Sequence, residues 1–572
     1  MSAWEYNPPP ASIVGNLRKQ LQVNSAVAEL VARLGYIDAD EARRFLNPRL
    51  SEIADPFDIP NLKAAAARIS QAIDSGQRIV ICGDYDVDGV TSTTLLVDIL
   101  KSFQVFPNFI VPLRLDEGYG LTRKAAERAM DCGDSADLFI ALDCGTNSVE
   151  EAEYIRSQGC DLIIVDHHQS KRTLPEGVLL VNPHVFSDEG NEGLKLCTVG
   201  LVFKLAHGLL KLRRELGDER AFQLKLRDYL DLVSMGTIAD LVPLTGENRT
   251  FTRIGLGALS KTQRPGLKSL MSVAGMTASH GVKPVDISFK LGPRINASGR
   301  LADAALAVEL LLSDDSGYCM EAAFKLDSFN RERQEIEKKI ADQAMAQVEA
   351  EQKDNAGLVV FGRDWHSGVV GIVASRVSRA YGRPCIVLGM EGPLAKGSGR
   401  SVEGVNLVEV LGDFSDRLEN WGGHPMAIGI SIECERVDEL RDYFSRAVEA
   451  YRKAGVYERT IEVSAFLSLD SIGPRLMDEI GLLQPFGQEN PEPIFGTRNV
   501  VLRQRPKVFK DAHFRFALED RGGRSIQGVA WKMADRIPEV NTPIDIIYRL
   551  AWNSFGRQKI LQIDLVDWKE SA

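Results

Sequence analysis

Residues 81–92, ICGDYDVDGVTS, place three aspartates at alternate positions directly after an apolar run and before Gly89. Alternate residues of an extended segment project to one side, so we expect Asp84, Asp86 and Asp88 to share a face, with Gly89 letting the backbone turn afterward. Three neighbouring carboxylates repel one another and do not all stay ionised without positive charge nearby. The stretch therefore predicts a site that binds cations.

The pattern around this stretch predicts a parallel α/β sheet. LKAAAARISQAIDSG (62–76) has helical spacing and precedes a short buried strand, QRIVICGD (77–84). Three further β-rich apolar runs follow, separated by helical stretches: ADLFIALDCG (136–145), CDLIIVDHH (160–168) and GVLLVNPH (177–184). Ligands of such sheets gather outside the carboxyl ends of the strands. We therefore expect the residues that follow these strands to line one crevice.

The residues at the strand ends predict a pair of divalent metal ions. Asp143 ends one strand, the triplet of Asp166, His167 and His168 ends the next, and Asp240 follows a later apolar stretch. Oxygen ligands suit Mg²⁺ or Mn²⁺, and histidine favours Mn²⁺. Taken alone, each motif is more typical of a helix cap, a turn or a satisfied core histidine than of a metal site. Their occurrence on consecutive predicted strands favours the metal site.

The bulk composition restricts the class of protein. The chain has 572 residues, 44% of them hydrophobic, a formal net charge of −11, and no apolar run near the roughly 18 residues of a membrane span. Its start lacks the pattern of an export signal, and its eight cysteines include no Cys-x-x-Cys pair, so we expect free thiols and a cytoplasmic location. The acidic balance argues against a general basic surface for nucleic acid. Any polyanion must then be bound locally.

The remaining pattern predicts several domains. Residues 329–355 are rich in helix formers and mixed charges and predict a long exposed helix between two α/β lobes, while short alternating runs from 460 onward predict a small β-barrel. The predicted parts are an N-terminal lead-in to the first domain at 1–60, a parallel-sheet catalytic domain at 61–315, a connecting long helix at 316–355, a smaller α/β domain at 356–455, and an OB-like β-barrel at 460–572.

The motifs together resemble those of a known superfamily. GDYDVDG, LDCG, VDHH and GTIADLVPL occur in the order and rough spacing of the four motifs of the DHH phosphoesterases, and GSGRS (397–401) and GGHPMAIG (422–429) resemble the companion DHHA1 domain. The resemblance covers about residues 60–455. With the C-terminal β-domain added, the chain is most similar to the bacterial 5′→3′ exonucleases of single-stranded DNA within that superfamily. It is thus expected to be a two-metal phosphodiesterase.

The resemblance implies roles for individual residues. It implies that Asp143 bridges the two ions, that Asp84 supports the first metal site, and that His168 lies toward the phosphate. Cys82 occupies a position where related pyrophosphatases use histidine, and we interpret it as packing, since a thiolate is a poor ligand for Mg²⁺. The positions that match metal ligands are Asp86, Asp88, Asp143, His167 and Asp240.

Three further stretches, 112–121, 290–301 and 396–404, combine arginine with small residues. Backbone N–H groups can approach a phosphate there while arginine contacts its oxygens in two-point fashion. The alternative for each residue is a surface ion pair or a loop-shaping role. By resemblance, the candidates for holding the terminal 5′-phosphate and the backbone behind it are Arg114, Arg294 or Arg300, Ser398 and Arg400, with His424 near the cut. A narrow passage between the lobes would admit only an unpaired strand.

The predicted β-barrel contributes aromatic and basic residues. Bases of a strand could stack there, although most aromatics of a small barrel form its core. The candidates are Phe509, Phe514, Phe516, Trp531 and Trp552, accompanied by Lys507, Lys510 and Arg515.

Three functions remain open from the sequence. The resemblance favours a Mn²⁺- or Mg²⁺-dependent exonuclease of single-stranded DNA in repair and recombination, with the single-strand DNA-binding protein and a repair helicase as partners. A phosphodiesterase of short oligonucleotides or RNA is the second hypothesis, because contacts to a 2′-hydroxyl cannot be read from sequence. A non-catalytic nucleic-acid scaffold is the third, and the complete set of candidate ligands argues against it.

Overall fold

The computed structural model describes residues 3–113, 116–118, 120–131, 136–170, 173–188, 190–276, 281–454, 460–555 and 558–571. Two α/β lobes are joined by one long helix and followed by a β-domain. The predicted α/β fold class is confirmed. None of the helices in these ranges is both long enough and apolar enough to cross a membrane.

The N-terminal segment packs against the far end of the chain. It forms strand β1 (Ala3–Glu5) and helices α1 (Ala11–Leu21), α2 (Ser25–Arg33) and α3 (Ala39–Leu46). Leu17, Val27 and Phe45 of these helices share one hydrophobic core with Phe495 and Phe514. The lead-in to the first domain that the turn signals predict is therefore replaced by a region that completes the C-terminal domain.

The first lobe contains a five-stranded parallel sheet. Its strands are β2 (Ile79–Gly83), β3 (Asn108–Ile110), β4 (Leu138–Leu142), β5 (Asp161–Val165) and β6 (Leu179–Val181). The spatial order is β3-β2-β4-β5-β6, and every neighbouring pair is parallel. All carboxyl ends therefore meet at one edge, as predicted. Strands β2 and β4 are buried throughout, as expected of a sheet covered on both faces.

Helices surround this sheet, and three of them pack together behind the strand ends. Helices α5, α9 and α11 contact one another, and most of their residues are buried. The helices of the lobe are α4 (Leu62–Asp74), α5 (Val87–Ser102), α6 (Arg123–Met130), α7 (Val149–Ser157), α8 (Pro183–Phe186), α9 (Thr198–Glu215), α10 (Glu219–Gln223), α11 (Leu230–Ala239), α12 (Gly246–Leu259), α13 (Pro265–Val273), α14 (Pro284–Asp286), α15 (Gly292–Leu301) and α16 (Ala305–Leu312).

A single helix, α17 (Ser316–Glu351), connects the two lobes. Its first half packs on α13 and α15 of the first lobe, and it also contacts helix 370–381 of the second lobe. Its sequence predicts an exposed helix, and much of it is exposed. Arg333 is an exception, because its side chain is only 12% exposed and its Nε atom has no hydrogen-bond partner in the described part of the chain.

The second lobe contains a mixed five-stranded sheet. Its elements are β7 (Leu358–Gly362), α18 (Val370–Tyr381), β8 (Cys385–Glu391), β9 (Leu394–Arg400), α19 (Leu407–Leu411), β10 (Asn420–His424), β11 (Ala427–Glu433) and α20 (Val437–Ala454). The order is β10-β11-β9-β8-β7, with only β7 and β8 parallel. The strand-helix-strand pattern predicted after the long helix corresponds to β7, α18 and β8.

The C-terminal domain is a seven-stranded sheet with one helix. Its elements are β12 (Thr460–Glu462), β13 (Ala465–Phe466), α21 (Pro474–Gly481), β14 (Phe495–Val501), β15 (Lys507–Phe509), β16 (His513–Glu519), β17 (Ser525–Ala530), β18 (Pro543–Phe555) and β19 (Gln558–Glu570). Strand β12 pairs with β1 in parallel. The other strands follow the order β13-β14-β18-β19-β17-β16-β15.

Two arginines of α12, the buried Arg249 and the half-buried Arg253, fix this domain to the first lobe. The Arg249 guanidinium on α12 donates hydrogen bonds to the carbonyls of Phe45, Leu482 and Leu483, and it lies 3.9 Å from the Phe45 ring. Arg253 donates to the carbonyls of Leu482 and Gln484. The carbonyls of residues 482–484 follow the last turn of α21, where a cation is favourable. Burial lowers the pKa of Arg249 to about 9.

Candidate metal centre

The loop after β2 is shaped by its second aspartate, Asp86, and its glycine, Gly89. The Asp86 carboxylate accepts hydrogen bonds from the backbone N–H groups of Asp88 and Gly89, which makes Asp86 the N-cap of α5. Gly89 lies so close to the backbone of Asp84 that an added Cβ would stand 2.3 Å from its carbonyl oxygen. The predicted extended arrangement of the three aspartates is thus wrong, because the helix begins at Val87 and Asp88 lies in its first turn.

Asp143 joins this loop from the neighbouring strand. It follows β4 directly and has a left-handed backbone with φ of 64°. The carboxylate oxygens of Asp84, Asp86 and Asp143 lie within 4.8 Å of one another. A left-handed conformation is tolerated best by glycine, asparagine and aspartate. The unusual backbone thus aims a buried carboxylate at the two aspartates of the loop.

Helix α9 holds the third aspartate of the motif. Both carboxylate oxygens of Asp88 accept backbone hydrogen bonds at the start of α9, from Thr198 at 2.7 Å and from Val199 at 2.8 Å. The Thr198 hydroxyl donates to Asp143 Oδ1 at 2.9 Å. The positive end of a helix dipole stabilises such a carboxylate. Sequence reasoning missed Thr198, because nothing in its local pattern separates it from an ordinary first residue of a helix.

His167 and Asp240 complete the cluster. The Nε2 atom of His167 lies 3.5 Å from Asp143 Oδ1, 3.5 Å from Asp240 Oδ2 and 3.9 Å from Asp88 Oδ2. That nitrogen is buried and has no hydrogen-bond partner among the described residues, as is also true of Asp84 Oδ1. Buried polar atoms are normally paired. The two atoms and the surrounding carboxylates therefore fit a site for divalent cations.

Asp166 and His168 have a different arrangement. The Asp166 carboxylate accepts hydrogen bonds from the N–H groups of Thr146, His167 and His168, and its Oδ1 lies 2.8 Å from Nδ1 of His168. Asp166 therefore positions His167 and His168 through hydrogen bonds. Its hydrogen bond and charge raise the pKa of His168 to about 9. His168 is therefore a cation at neutral pH, and its side chain is 55% exposed.

Burial and mutual repulsion raise the pKa values of the clustered carboxyls. Burial is the larger cause at each, followed by the charge of a neighbouring aspartate. The pKa reaches about 7 for Asp84 and for Asp88 and about 9 for Asp240, and the pKa of Asp143 lies well above its ordinary value. Without cations the cluster therefore retains protons at neutral pH, whereas bound cations would replace them.

The stability of the metal-free protein should therefore fall as the pH rises. A group whose pKa is raised by folding contributes stability below its unfolded pKa and loses it as the pH passes its folded pKa. Above pH 6.5, the ordinary histidine value, Asp84, Asp88, Asp240 and His168 all act in this direction. The lowered pKa of His167, about 4, makes stability rise with pH, but only below pH 6.5. We expect the melting temperature in chelator to drop by several degrees between pH 6.5 and 9.

The measurement is thermal unfolding followed by circular dichroism in buffers of matched ionic strength. Saturating Mn²⁺ should remove most of the drop, because bound cations keep the carboxylates ionised in the folded state. The expectation would be contradicted if the melting temperature fell equally steeply with pH in chelator and in Mn²⁺.

Three of the predicted phosphate-binding residues, Arg300, Ser398 and Arg400, lie along the junction of the two lobes. Gly299 packs against the Tyr85 ring, and the next residue, Arg300, donates from Nη1 to the carbonyl of Gly368 at 2.5 Å. Two residues after Gly368, α18 begins, and its Gly371 lies against both Ser398 and Arg400, where a Cβ would stand 3.2 Å from Oγ and 3.4 Å from Nη2 respectively. Because Tyr85 belongs to the metal-binding loop, these contacts connect that loop to Ser398 and Arg400 of the second lobe.

The β-register gives Ser398, Arg400 and His424 one common face. Arg400 pairs with Ala427, and Ala427 pairs with His424 on the next strand, so His424 stands two strands away. Burial lowers the pKa of Arg400. Its Nη1 donates to the Gly399 carbonyl, and within the described ranges it forms no ion pair with a carboxylate. The structure therefore brings these three side chains to one surface beside α18.

Two other predicted arginines differ. Arg294 forms an ion pair with the buried Asp327 of α17, with Nε at 2.9 Å and Nη2 at 2.8 Å, and its Nη1 donates to the Lys290 carbonyl. The segment 290–301 is mostly helical, so its backbone N–H groups are largely engaged. These contacts leave Arg294 few donors for a phosphate. Arg114 lies outside the described residues.

The aromatic candidates of the C-terminal domain separate by burial. Phe514 and Phe516 are core residues and cannot contact a strand. Trp531 is 52% exposed, and its ring packs edge-on against Phe509 and His513, at centroid distances of 5.8 Å and 5.1 Å. Arg515 lies 4.9 Å from the Phe509 ring. The basic residues Lys507, Lys510, Arg515 and Lys532 are exposed around these rings. Trp552 is 37% exposed on β18.

Three family models match the chain. The DHH family N-terminal domain matches residues 78–237, the DHHA1 domain matches residues 354–450, and the RecJ OB domain matches residues 463–567. The first contains the aspartates of the cluster up to Asp166, together with His167, and the second contains Ser398, Arg400 and His424. The predicted OB-like domain is thereby confirmed.

Curated relatives extend the similarity over most of the chain. The single-stranded-DNA-specific exonuclease RecJ of Escherichia coli is 32% identical over 88% of this chain and 89% of its own length. That of Bacillus subtilis is 38% identical over 88% of this chain, which spans 62% of its length. The crystal structure of RecJ from Thermus thermophilus with Mn²⁺ matches 100% of this chain and 80% of its own, with a TM-score of 0.83 and 27% identity.

Proposed function

Because the chain belongs to the RecJ family of single-stranded-DNA-specific exonucleases, we propose that it removes mononucleotides from the 5′ end of single-stranded DNA. The observation that carries the proposal is the convergence of Asp84, Asp86, Asp88, Asp143, Asp240 and His167 at one edge of the parallel sheet. Two divalent cations held by such a dense set of ligands beside a site for phosphate can catalyse hydrolysis of a phosphodiester bond.

The residues of the cluster have distinct roles in this proposal. Two Mn²⁺ or Mg²⁺ ions, when bound, supply Lewis acidity that activates water and neutralises the charge on the phosphate. Asp86, Asp88, Asp143, Asp240 and His167 would hold them, with Asp143 shared and Asp84 supporting the first site. Thr198 fixes Asp143 through its hydroxyl, and the start of α9 fixes Asp88. His168, charged through Asp166, faces the phosphate and stabilises its developing charge.

The 5′ end is held where the lobes meet. Ser398 and Arg400 offer donors on the face of the second sheet that adjoins α18, Arg300 supports this region, and His424 lies two strands farther along. A terminal phosphate contacted there would set the first bond within reach of the metal centre. Recognition of an end between two lobes also explains single-strand specificity, since a duplex is too wide for a narrow passage.

Replacing Arg400 with alanine should weaken binding of the end more than it slows chemistry. We expect KM for a 5′-phosphorylated strand to rise about tenfold or more, because a hydrogen bond to a charged group contributes about 1.5–3 kcal/mol. The increase should be smaller for a strand with a 5′-hydroxyl. Arg417→Ala, which removes a surface ion pair with Glu439 in the same lobe, is the control. Equal increases for both strands would contradict a phosphate contact.

The C-terminal domain holds the strand behind the cut in this proposal. The exposed Trp531 with its neighbouring rings and basic residues has the character of a base-stacking surface. Trp531→Ala should lower the affinity for long strands about tenfold, since one base stack contributes about 1–3 kcal/mol. The affinity for strands too short to reach the domain should not change. Trp552→Ala removes a similar ring elsewhere and should change affinity less than about twofold. Fluorescence anisotropy measures both.

The decisive experiment uses one DNA oligomer labelled at the 5′ end in one reaction and at the 3′ end in another, with Mn²⁺. The proposal expects the 5′ label to appear at once as a mononucleotide while the 3′-labelled strand shortens stepwise. Chelator is the control. Cleavage of short RNA alone would agree with the metal centre but would overturn the assignment of DNA as substrate. Digestion of blunt duplex as rapid as that of single-stranded DNA would exclude the narrow passage.

Partners and location remain proposals. A nuclease that accepts only unpaired DNA needs another protein to separate the strands, so a repair helicase and the single-strand DNA-binding protein are the proposed partners in repair and recombination. A cytoplasmic location agrees with the seven described cysteines, all of which are free thiols. Co-purification of the full chain with each partner tests the first point.

A further inference from the structure

One cysteine of the first lobe lies against the metal centre. Cys197 is buried and immediately precedes Thr198 at the start of α9, so it enters the site on the helix that holds Asp88. Its Sγ atom and carboxylate oxygens of Asp88 and Asp240 all lie within 4.8 Å of one another. The thiol has a weak contact with Thr237 Oγ1, at 3.7 Å. The sulfur can therefore contact a cation that the two carboxylates bind.

A nearby imidazole contacts the same two aspartates. The buried Nε2 atom of His167 lies 3.5 Å from Asp240 Oδ2 and 3.9 Å from Asp88 Oδ2, and it has no hydrogen-bond partner among the described residues. Sulfur, imidazole nitrogen and two carboxylates form a mixed donor set. Zn²⁺ takes four ligands of these three kinds in tetrahedral sites, whereas Mg²⁺ prefers oxygen ligands in octahedral geometry.

We propose that Cys197, His167, Asp88 and Asp240 form a site for a thiophilic divalent cation such as Zn²⁺ or Cd²⁺, and that this cation inhibits the nuclease by displacing the hard cation. Only the inhibition rests on the proposed function. A tetrahedral cation bound through sulfur occupies three residues of the metal centre and leaves them unable to hold Mn²⁺ in its own geometry. The affinity of such sites for Zn²⁺ also exceeds that for Mn²⁺.

The other thiols of the region differ from Cys197. Cys144 follows Asp143 in sequence, but its Sγ lies 3.5 Å from the Leu142 carbonyl oxygen. The groups of described side chains that can hold a metal include Cys197 and no other cysteine. Cys434, at the surface of the second lobe, is partly exposed and lies away from the cluster in sequence and fold. It provides a matched control for a cysteine substitution.

The first test measures coordination in the full-length protein and needs no activity. Co²⁺ titrated into metal-free protein should produce a near-ultraviolet charge-transfer band from sulfur to cobalt, and Zn²⁺ should remove it. The band should be absent in Cys197→Ser and retained in Cys434→Ser. X-ray absorption of the Zn²⁺-loaded wild-type protein, which avoids any folding defect of a variant, should show one sulfur at about 2.3 Å. A zinc shell without sulfur would overturn the proposal.

The second test measures inhibition. Each protein is compared with its own uninhibited rate in Mn²⁺, and Cys197→Ser should need about tenfold or more Zn²⁺ for half inhibition than the wild type or Cys434→Ser. Equal sensitivity would overturn the inhibitory role. If no variant cleaves DNA at all, the proposed function fails while the cobalt band still reports the cation site.

Discussion

Replacing Asp143 with asparagine is expected to reduce DNA cleavage by more than about a thousandfold, equivalent to over about 4 kcal/mol of activation free energy. Asp143 is the carboxylate that lies near both Asp84 and Asp86 on one side and His167 on the other. Its loss therefore removes a ligand common to both parts of the centre. Asparagine tolerates the left-handed backbone of this position, where φ is 64°.

The substitution should leave the fold and strand binding intact. Because folding in chelator no longer requires a proton on this buried carboxyl, whose pKa is raised well above its ordinary value, the melting temperature in chelator should rise rather than fall. Asp161→Asn, at the exposed start of β5, removes the same charge and should retain cleavage. Single-turnover cleavage and anisotropy with single-stranded DNA give the two readouts. A rate within tenfold of the wild type would exclude Asp143 from the centre.

The second large effect is expected for His168→Gln, with kcat lowered by about 100- to 1,000-fold and little change in KM. The Asp166 carboxylate raises the pKa of His168 to about 9, so a cation faces the site of the phosphate at neutral pH. Glutamine preserves the size and hydrogen bonding of the side chain but not its charge. The effect should therefore fall on the step in which charge develops on the phosphate.

Two variants test this assignment. His184→Gln changes a nearby histidine that contacts Gln169 and should cleave at nearly the wild-type rate. Asp166→Asn leaves the ring in place but removes its charged partner, and its kcat should lie between those of the wild type and His168→Gln. Steady-state kinetics with Mn²⁺ separates kcat from KM. A rise in KM alone would assign His168 to strand binding instead.

The cluster itself is largely predictable from the sequence, for a physical reason. Parallel strands bring their carboxyl ends to one edge, so Asp143 and His167 had to approach the loop of Asp84 and Asp86 once the strands were identified. The geometry of the loop was not predictable from the alternation of the aspartates. An extended strand would place Asp88 on the same side as Asp84 and Asp86, but Asp86 caps a helix that begins at Val87 and contains Asp88.

The features that sequence reasoning missed depend on contacts between distant segments. Thr198 and Cys197 are 110 and 109 residues from Asp88, and only the packing of α9 against α5 brings them to the cluster. Arg294 has a phosphate-binding appearance in sequence, yet the buried Asp327 on another helix engages it. Such pairings arise from tertiary packing, which no local pattern encodes.

The pairing of β1 with β12 also has a consequence for biosynthesis. Residues 3–46 leave the ribosome more than four hundred residues before Phe495 and Phe514, whose core they share. Throughout that interval the apolar faces of α1, α2 and α3 lack their final partner, while the first lobe can already fold beside them. The nascent chain must therefore keep these helices from aggregating until synthesis of the last domain gives them a surface to cover.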